Sequence, residues 1–470
     1  MPMDRGNVER GPKRVLSGQC RRRHSGRMGD SPFAAVMVQC HRWSTRGVDS
    51  AQESRNDRNP LTQKRTMTSA VSTIRSNTWK RLDGIDLLRG LAISFVLMNH
   101  VHIRLALAKV PYTKFLPAQL VHFLVWNGEL GVQIFFAVSG FLIMSISLRR
   151  WPPLSEIRVR DFYLLRFSRI APLFFLLLAV LCGLHFAHVP SYFVTARTGG
   201  LGRALLAALT FRINVLEART WYLPGNWDIL WSLSVEETFY FFFPLVCLLF
   251  AGNRLFGRGK LFIALLITFI VLGPPGRTIW THGNEIWQDY SYLGGMEGIA
   301  LGCLTALIVA RRRLSRHVLS ILGVGGALIV VLSLVFSWQI QRAWIGRAGL
   351  HMTILGIGTC MFIAAAAQRR WKAPRIFTPL LKLGRYSYEI YLTHMFVVFG
   401  LLSPFLDAGK PMSLVAAYFV GTILISGLLG AAVARFYSEP MNRYLRNRPQ
   451  NTQGQSASTM EALSGAITEG

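Results

Sequence analysis

Ten long apolar stretches, separated by short polar segments, dominate the chain from residue 85 to residue 436. Most are about 20 residues long, which at a helical rise of ~1.5 Å per residue crosses a hydrocarbon layer roughly 30 Å thick. The pattern therefore predicts an all-α polytopic membrane protein with about ten transmembrane helices. The stretches are 85–107, 131–148, 170–189, 229–251, 261–273, 292–310, 318–338, 348–367, 387–405 and 414–436.

Two segments do not follow this simple pattern. The fifth stretch, 261–273, rises only about 20 Å, so we expect it to thin the bilayer locally or to recruit the basic side chains before it. Residues 202–216 are also apolar, but they contain two arginines and an asparagine. We interpret this segment as interfacial or re-entrant, and not as an eleventh span.

The charge distribution agrees with ten spans. The chain has 52 Lys and Arg against 23 Asp and Glu, a net charge of +29. When alternate loops are assigned to opposite sides, 23 basic residues fall inside, 11 outside and 18 at the N-terminal end. The positive-inside rule then predicts that both termini are cytoplasmic. Since the basic residues gather in a tail and in loops and not on one face, no nucleic-acid partner is indicated.

The sequence divides into three parts. Residues 1–80 hold 16 Lys or Arg and no long apolar stretch, which predicts a disordered basic tail without a secretory signal. Two interpretations of this tail stay open, a solvated extension or upstream sequence that precedes a true start at Met67. Residues 81–446 are the predicted transmembrane domain, and 447–470 form a short polar C-terminal tail.

The six cysteines are too scattered for a disulfide framework. Cys182, Cys247, Cys303 and Cys360 lie inside apolar stretches, so we expect them to be buried small hydrophobic residues. The sequence contains no zinc-ligand spacing, phosphate-binding loop or Gly-x-Ser-x-Gly segment. No metal is therefore expected.

Ionisable side chains inside the first stretch are the clearest candidates for chemistry, because each costs about 2.5–3.5 kcal/mol to insert. Arg89 and His100 are eleven residues apart, close to three helical turns, so they share one face about 16 Å apart along the axis. Asp86 lies one turn before Arg89 and is placed to pair with it.

The fourth stretch carries two adjacent acids, Glu236 and Glu237. Measured from the edges of their stretches, Glu236 lies about 10 Å below the outer boundary and His100 about 22 Å above the inner one, which is nearly the same depth. We predict that Glu236 supports His100 as a general base, with Glu237 as a helix-contact or pairing residue. The alternative for His100 is a structural hydrogen bond to a neighbouring helix.

Six arginines lie between residues 149 and 169. Anchoring at the membrane surface explains some of them. Arg166 and Arg169, however, are one turn apart on one helix face, just before Pro172, and such a pair can hold the phosphates of a cofactor. Both explanations stay open for this pair.

Three further positions are less specific. His394 suits a structural hydrogen bond as well as a direct role. Glu297 is expected to pair with an arginine, and the glycines of 323–326 are expected to serve helix packing.

These segments together form a recognisable pattern between residues 82 and 445. The sequence resembles the acyltransferase-3 family of integral membrane proteins. The matching segments, in order, are Arg89 with His100, 135–143, Arg166 with Arg169, 231–240, 387–394 and 437–440.

The resemblance implies an enzyme in a bacterial plasma membrane that uses cytoplasmic acyl-CoA, commonly acetyl-CoA, as its donor. The acceptor would be a hydroxyl of a carbohydrate, a lipid-linked glycan or another envelope molecule. It places the family's Arg and His on Arg89 and His100, its arginine pair on Arg166 and Arg169, and its acidic helix on Glu236 and Glu237. The sequence departs from the family at 294–297, where relatives often carry an Arg before the acid.

The predicted layout suits this chemistry. The arginine pair would meet CoA phosphates at the inner face, and His100 would take the proton of the acceptor hydroxyl as it attacks the thioester. Arg89 would hold a phosphate or orient the histidine, and Ser139 would stabilise the oxyanion. Direct transfer and a covalent acyl-enzyme are both open. The outer segment 190–228, with four arginines and Trp221, is expected to meet the acceptor.

Two other classes of function compete with this one. Intramembrane Arg, His and Glu also occur in a transporter or flippase, here of an envelope glycan, but the halves of this chain show no internal repeat. A structural or sensory protein would not need so many ionisable groups at matched depth.

Overall fold

The computed structural model describes residues 81–251 and 259–447, and those ranges are helical without strands. Ten helices are long and apolar enough to cross a membrane, which confirms the predicted architecture. The predicted basic tail, with Met67, and nearly all of the polar C-terminal tail lie outside the described residues. The helices are α1 Asp83–Leu107, α2 Gly128–Arg150, α3 Val159–Phe186, α4 Leu230–Val246, α5 Lys260–Arg277, α6 Tyr292–Arg311, α7 Arg316–Val335, α8 Leu350–Arg369, α9 Ser387–Asp407 and α10 Val415–Val433.

The fifth span is longer than the sequence predicted. Helix α5 has 18 residues and continues through Pro274 and Pro275 to Arg277. Its length of about 27 Å is close to the thickness of a hydrocarbon core, so the premise of a thirteen-residue span was wrong. The helix extends because Arg277 finds polar partners inside the bundle, which a count of apolar residues does not detect.

The segment 202–216 forms two short helices, Gly200–Leu209 and Ile213–Thr220. The first is apolar but has only ten residues and a length of about 15 Å. It is therefore too short to cross a bilayer, and the prediction of ten spans instead of eleven is confirmed.

Glycine contacts bring α2 and α6 together at the centre of the bundle. A Cβ atom on Gly140 would lie 1.9 Å from the carbonyl oxygen of Ile299, and one on Gly302 would lie 2.1 Å from that of Ala137. Cys303 donates to the carbonyl of Gly140 at 3.3 Å across the same contact. The two backbones therefore touch, as small residues permit in membrane helices.

The predicted packing role of the glycines in α7 is also confirmed. A Cβ atom on Gly326 would lie 2.6 Å from the carbonyl oxygen of Gly358 in α8. The prediction for the cysteines is confirmed at three of four positions, since Cys247, Cys303 and Cys360 are buried and free, whereas Cys182 is only partly buried.

The bundle has two distinct ends. The basic end comprises residues 81–90, 149–169 and 369–389, where Lys372 forms a salt bridge with Asp83 at 3.2 Å. The opposite end comprises residues 107–129 and 186–229, together with 277–292. Which end faces the cytoplasm stays a prediction from the positive-inside rule.

Replacement of Gly140 by alanine tests the central contact. The new methyl group meets backbone on α6, so we expect the free energy of unfolding to fall by about 1–3 kcal/mol, measured by thermal or denaturant unfolding of the purified protein. The control is Gly183→Ala in α3, where a Cβ atom meets nothing within 4 Å. Equal stability of the two variants would contradict the proposed contact.

Candidate active site

Arg89 lies on α1 near the basic end, and α9 supplies its hydrogen-bond partner. Its Nε donates to Ser387 Oγ at 3.0 Å. Asp86 and Glu389 add favourable electrostatic interactions, but neither forms a salt bridge with Arg89 in the described part of the chain. The predicted pairing of Asp86 with Arg89 is therefore a longer-range attraction.

The predicted arginine pair converges on the same region. Arg166 is half-buried and lies over the ring of Tyr240, with its guanidinium carbon 4.3 Å from the ring centroid. Arg169 is exposed and close enough to Arg89 for their like charges to repel. We call Arg89, Arg166 and Arg169 the arginine cluster.

No member of the arginine cluster forms a salt bridge with any described residue. The three guanidinium groups all act on the carboxylate of Glu236, yet none is in salt-bridge contact with a described carboxylate, so together they form an anion-binding arrangement. Guanidinium groups bind phosphate oxygens in pairs, with bonds about twice as strong as neutral ones.

Glu236 lies between the arginine cluster and α2. Ser139 Oγ donates to its Oε1 at 2.7 Å, and all three arginines of the cluster attract its carboxylate. The Ser139 hydroxyl is thus already committed to Glu236. Glu237 receives no hydrogen bond at its buried Oε1 from any residue that the structure describes, so the two adjacent acids differ in their contacts.

His100 lies further along α1, beside His394 of α9. The ring centroids are 5.1 Å apart and the planes are tilted by 48°. His394 is fully buried, and its Nδ1 lies 2.7 Å from the carbonyl oxygen of Tyr391. Because a carbonyl only accepts, Nδ1 carries the proton and Nε2 keeps its lone pair. We call His100 and His394 the histidine pair.

The structure does not join His100 to Glu236. No hydrogen bond links them among the described residues, and the charged groups that act on His100 are His394 and Arg104. The depth comparison placed both on the same level, but level does not specify direction around a helix axis. Arg89 and His100 both face α9, where they contact Ser387 and His394, whereas Glu236 contacts Ser139 of α2.

Helix α9 supplies His394, which the sequence analysis named, and also Ser387 and Tyr391, which it included only within the segment 387–394. Ser387, Tyr391 and His394 are spaced at i, i+4 and i+7 and form a polar stripe along one face. Ser387 contacts Arg89, and the Tyr391 hydroxyl lies 2.6 Å from Ser232 Oγ of α4. The helical spacing of these polar residues within an otherwise apolar stretch is the sequence signal that could have identified them.

A separate buried ion pair joins α5 to α6. Arg277 forms a salt bridge with Glu297 and donates to the carbonyl of Gly349 at 2.7 Å. Thr353 of α8 donates to the other oxygen of Glu297. The prediction that Glu297 pairs with an arginine is confirmed, and the arginine missing from 294–297 comes from the end of α5.

One carboxyl of the opposite end is buried outside the spans. Glu217 is fully buried in the helix Ile213–Thr220 and accepts a hydrogen bond from the backbone N–H of Leu223 at 2.9 Å. Burial raises the pKa of Glu217 well above its usual range, and the charge of Asp228 raises it further. Burial therefore favours the uncharged form of Glu217.

Comparison with known proteins agrees with this arrangement. A family model described as an acyltransferase domain matches residues 82–431. The chain belongs to the acyltransferase-3 family. That match runs from the start of α1 into α10, so it includes every residue of the arginine cluster and the histidine pair.

Two curated relatives extend over most of this acyltransferase-3 chain. O-acetyltransferase OatA of Staphylococcus aureus is 25% identical over 382 residues, which cover 77% of this chain and 57% of the relative. Peptidoglycan O-acetyltransferase OatA of Listeria monocytogenes is 26% identical over 346 residues, covering 71% and 51%. The chain thus matches little more than half the length of these relatives. No solved structure matches it.

The buried ion pair makes a prediction about stability. Arg277→Gln leaves Glu297 as an unpaired buried charge, so we expect the free energy of unfolding to fall by about 3–5 kcal/mol, measured in detergent by thermal or denaturant unfolding. Arg443→Gln removes a surface pair with Glu439 at 4.0 Å and should cost about 0–1 kcal/mol. If the free energy of unfolding falls by similar amounts in the two variants, the buried Arg277–Glu297 pair is no more important for stability than the surface pair.

Proposed function

We propose that this chain moves an acyl group, most simply acetyl, from acyl-CoA to a hydroxyl of a cell-envelope carbohydrate. The observation that carries the proposal is an anion-binding arginine cluster on α1 and α3 together with a histidine pair on α1 and α9. Helix α1 supplies Arg89 and His100, and α9 supplies their partners Ser387 and His394.

The arginine cluster supports acyl-CoA as the donor. Its guanidinium groups lie at the basic end, which the positive-inside rule assigns to the cytoplasm. Phosphate groups there would relieve the repulsion between Arg89 and Arg169. Glu236, which Ser139 holds in place, balances part of the positive charge when no phosphate is bound.

The histidine pair supports proton transfer. His100 is only partly buried, so a hydroxyl can approach it, whereas His394 is fully enclosed. His100 takes the proton of the acceptor hydroxyl while the oxygen attacks the thioester carbonyl carbon. The carbon–sulfur bond then breaks, and the proton passes from His100 to the departing CoA thiolate.

The structure assigns the neighbour of His100 differently from the sequence analysis. In this proposal His394, and not Glu236, orients His100. Glu236 belongs to the donor side of the site, where it positions the arginine cluster. Both of these α1 side chains contact α9, Arg89 through a hydrogen bond to Ser387 and His100 through a ring contact with His394.

The relatives support the acceptor class. One of them is named a peptidoglycan O-acetyltransferase, which acts on an envelope carbohydrate. We extend this class to the present chain, together with a place in a bacterial plasma membrane, where its ten helices would lie in the lipid bilayer.

Removal of the proposed base tests the mechanism. In His100→Ala, we expect transfer of labelled acetyl from acetyl-CoA to an envelope extract to fall by about 100- to 10,000-fold, because a positioned acid–base group contributes that much. His317→Ala, at an exposed position of α7, is the control. Transfer that survives in His100→Ala at the wild-type rate would refute the assignment, and no binding of CoA at all would favour a transporter.

The donor site makes a separate prediction. Arg166→Gln with Arg169→Gln removes charge-assisted hydrogen bonds worth about 1.5–3 kcal/mol each, so the KM for acetyl-CoA should rise at least ~10-fold with kcat less affected. Acetyl-dephospho-CoA, which lacks one phosphate, should bind wild type more weakly than acetyl-CoA, and the double variant should discriminate less between them.

Arg160→Gln is the matched control for the donor site, because Arg160 is an exposed arginine on the same helix. Its KM should match wild type. If Arg160→Gln and the double variant change KM equally, general surface charge and not the cluster holds the donor.

A further inference from the structure

Arg104 lies on α1 one helical turn beyond His100, the proposed base. Four residues separate them, which is about 6 Å along the axis and about 40° around it, so both side chains lie on one side of α1. The charge of Arg104 acts on the His100 ring, and both side chains are only partly buried. A ligand at His100 therefore lies within reach of a positive charge.

Packing holds the Arg104 side chain in one place. Its guanidinium carbon lies 5.0 Å from the centroid of the Phe399 ring in α9. On another side, a Cβ atom on Gly225 would lie 3.0 Å from Nη2, so the short helix Gly225–Asp228 approaches the guanidinium closely because residue 225 is a glycine. Three helices thus position the group before a ligand arrives, which lowers the entropic cost of binding.

The guanidinium of Arg104 lacks a direct partner. Its buried Nε makes no hydrogen bond to any described residue, and no described carboxylate forms a salt bridge with it. An arginine keeps its charge even where it is largely buried. Because a buried donor without an acceptor is unfavourable, an anion that pairs with Arg104 gains affinity.

Asp228 is the acid whose charge acts on Arg104, but another group holds it. It attracts Arg104 without coming within salt-bridge distance. Its Oδ1 accepts a hydrogen bond from the Tyr290 hydroxyl at 2.8 Å, and the Tyr290 ring is stacked on Trp231 with centroids 4.4 Å apart. Asp228 therefore balances the charge of Arg104 at a distance and leaves its N–H groups free for another acceptor.

We propose that Arg104 binds the carboxylate of an acidic sugar and thereby holds the acceptor with a hydroxyl at His100. The acceptor is then an acidic carbohydrate and not a neutral one. A carboxylate offers two oxygens and one charge to one guanidinium, and this paired contact fixes orientation as well as position. Because Arg104 lies one turn from His100, the reacting hydroxyl belongs to the same sugar residue as the carboxylate or to the next one. The proposal rests on the proposed function.

The predicted acceptor segment 190–228 contributes aromatic surface to this region. The Trp221 ring is 57% exposed and lies 5.6 Å from the ring of Tyr222. Tyr222 in turn lies 6.0 Å from Tyr290, the residue that holds Asp228. A glycan bound by its carboxylate can pack the apolar faces of further sugar residues on these rings.

A lipid phosphate is the other anion available to an arginine near the end of a span. An arginine that reaches for lipid headgroups extends away from the bundle. The Arg104 Nε is buried, however, and its guanidinium packs on α9 and on the helix Gly225–Asp228. This packing favours a ligand bound between the helices, and lipid binding is an outcome that the test detects.

The first test measures binding without an acyl donor, on the full chain in phosphatidylcholine nanodiscs, with free CoA present to occupy the arginine cluster. The probes are tetragalacturonate and its neutral methyl ester, each titrated by calorimetry. Wild type should bind the acid about 10- to 100-fold more tightly than the ester, because hydrogen bonds between charged groups are strong. In Arg104→Gln the two affinities should agree within about threefold, since the amide carries no charge.

The second test asks whether Arg104 selects the acceptor during transfer. The carboxyl groups of the envelope extract are converted to neutral amides with a carbodiimide and methylamine. Wild type should transfer labelled acetyl to the amidated extract at least ~10-fold more slowly than to the untreated extract. Arg104→Gln should transfer to both extracts at equal, reduced rates.

Two further variants keep the results interpretable. Arg104→Lys keeps the charge but loses the paired contact, so it should retain a preference of about three- to tenfold for the acid. This variant carries the test if Arg104→Gln does not fold. Arg347→Gln removes an exposed arginine of the short helix Trp344–Arg347 and should match wild type in both tests.

Several results would overturn the proposal. These are an equal preference for the acid in wild type and Arg104→Gln, an equal effect of Arg347→Gln, and no binding of either probe. The same follows if phosphatidylglycerol in the nanodiscs abolishes binding of the acid, since a lipid headgroup then occupies Arg104.

The outcomes separate this proposal from the proposed function. Acid-specific binding that requires Arg104, without any transfer activity, would refute the proposed function and leave the carboxylate site standing. Transfer at equal rates to untreated and amidated extracts would refute only the carboxylate site.

Discussion

The structure depends on the high cost of placing charge in a hydrocarbon layer. Each ionisable group inside a span has to turn toward another helix, because lipid offers no hydrogen bond. Arg89 therefore faces Ser387, and Glu236 faces Ser139. Arg277 meets Glu297 in the same way. These contacts set the rotation of α1, α4, α6 and α9 about their own axes.

Close backbone contact makes such rotations specific. Gly140 and Gly302 let α2 and α6 touch, so small shifts between these helices are resisted by backbone and not by flexible side chains. Helix α2 carries Ser139 beside this contact, and Ser139 holds Glu236. The packing of the centre thus fixes the position of an acid at the arginine cluster, which links stability to the proposed chemistry.

The molecule separates two polar clusters along its length. The basic end carries the arginine cluster, whose guanidinium groups form no salt bridge with any described residue. The histidine pair lies further along α1, where it joins α1 to α9.

The ten spans, the polar positions within them and the family follow from the amino-acid sequence, because hydrophobic length and motif order are local properties. The sequence also identified Glu297 as half of an ion pair. The partners of these polar residues, in contrast, follow only from the packing of the helices. His100 meets His394, and Arg277 reaches Glu297 across twenty residues. Depth in a membrane follows from counting residues, but the direction of a side chain depends on how each helix is rotated by all of its neighbours.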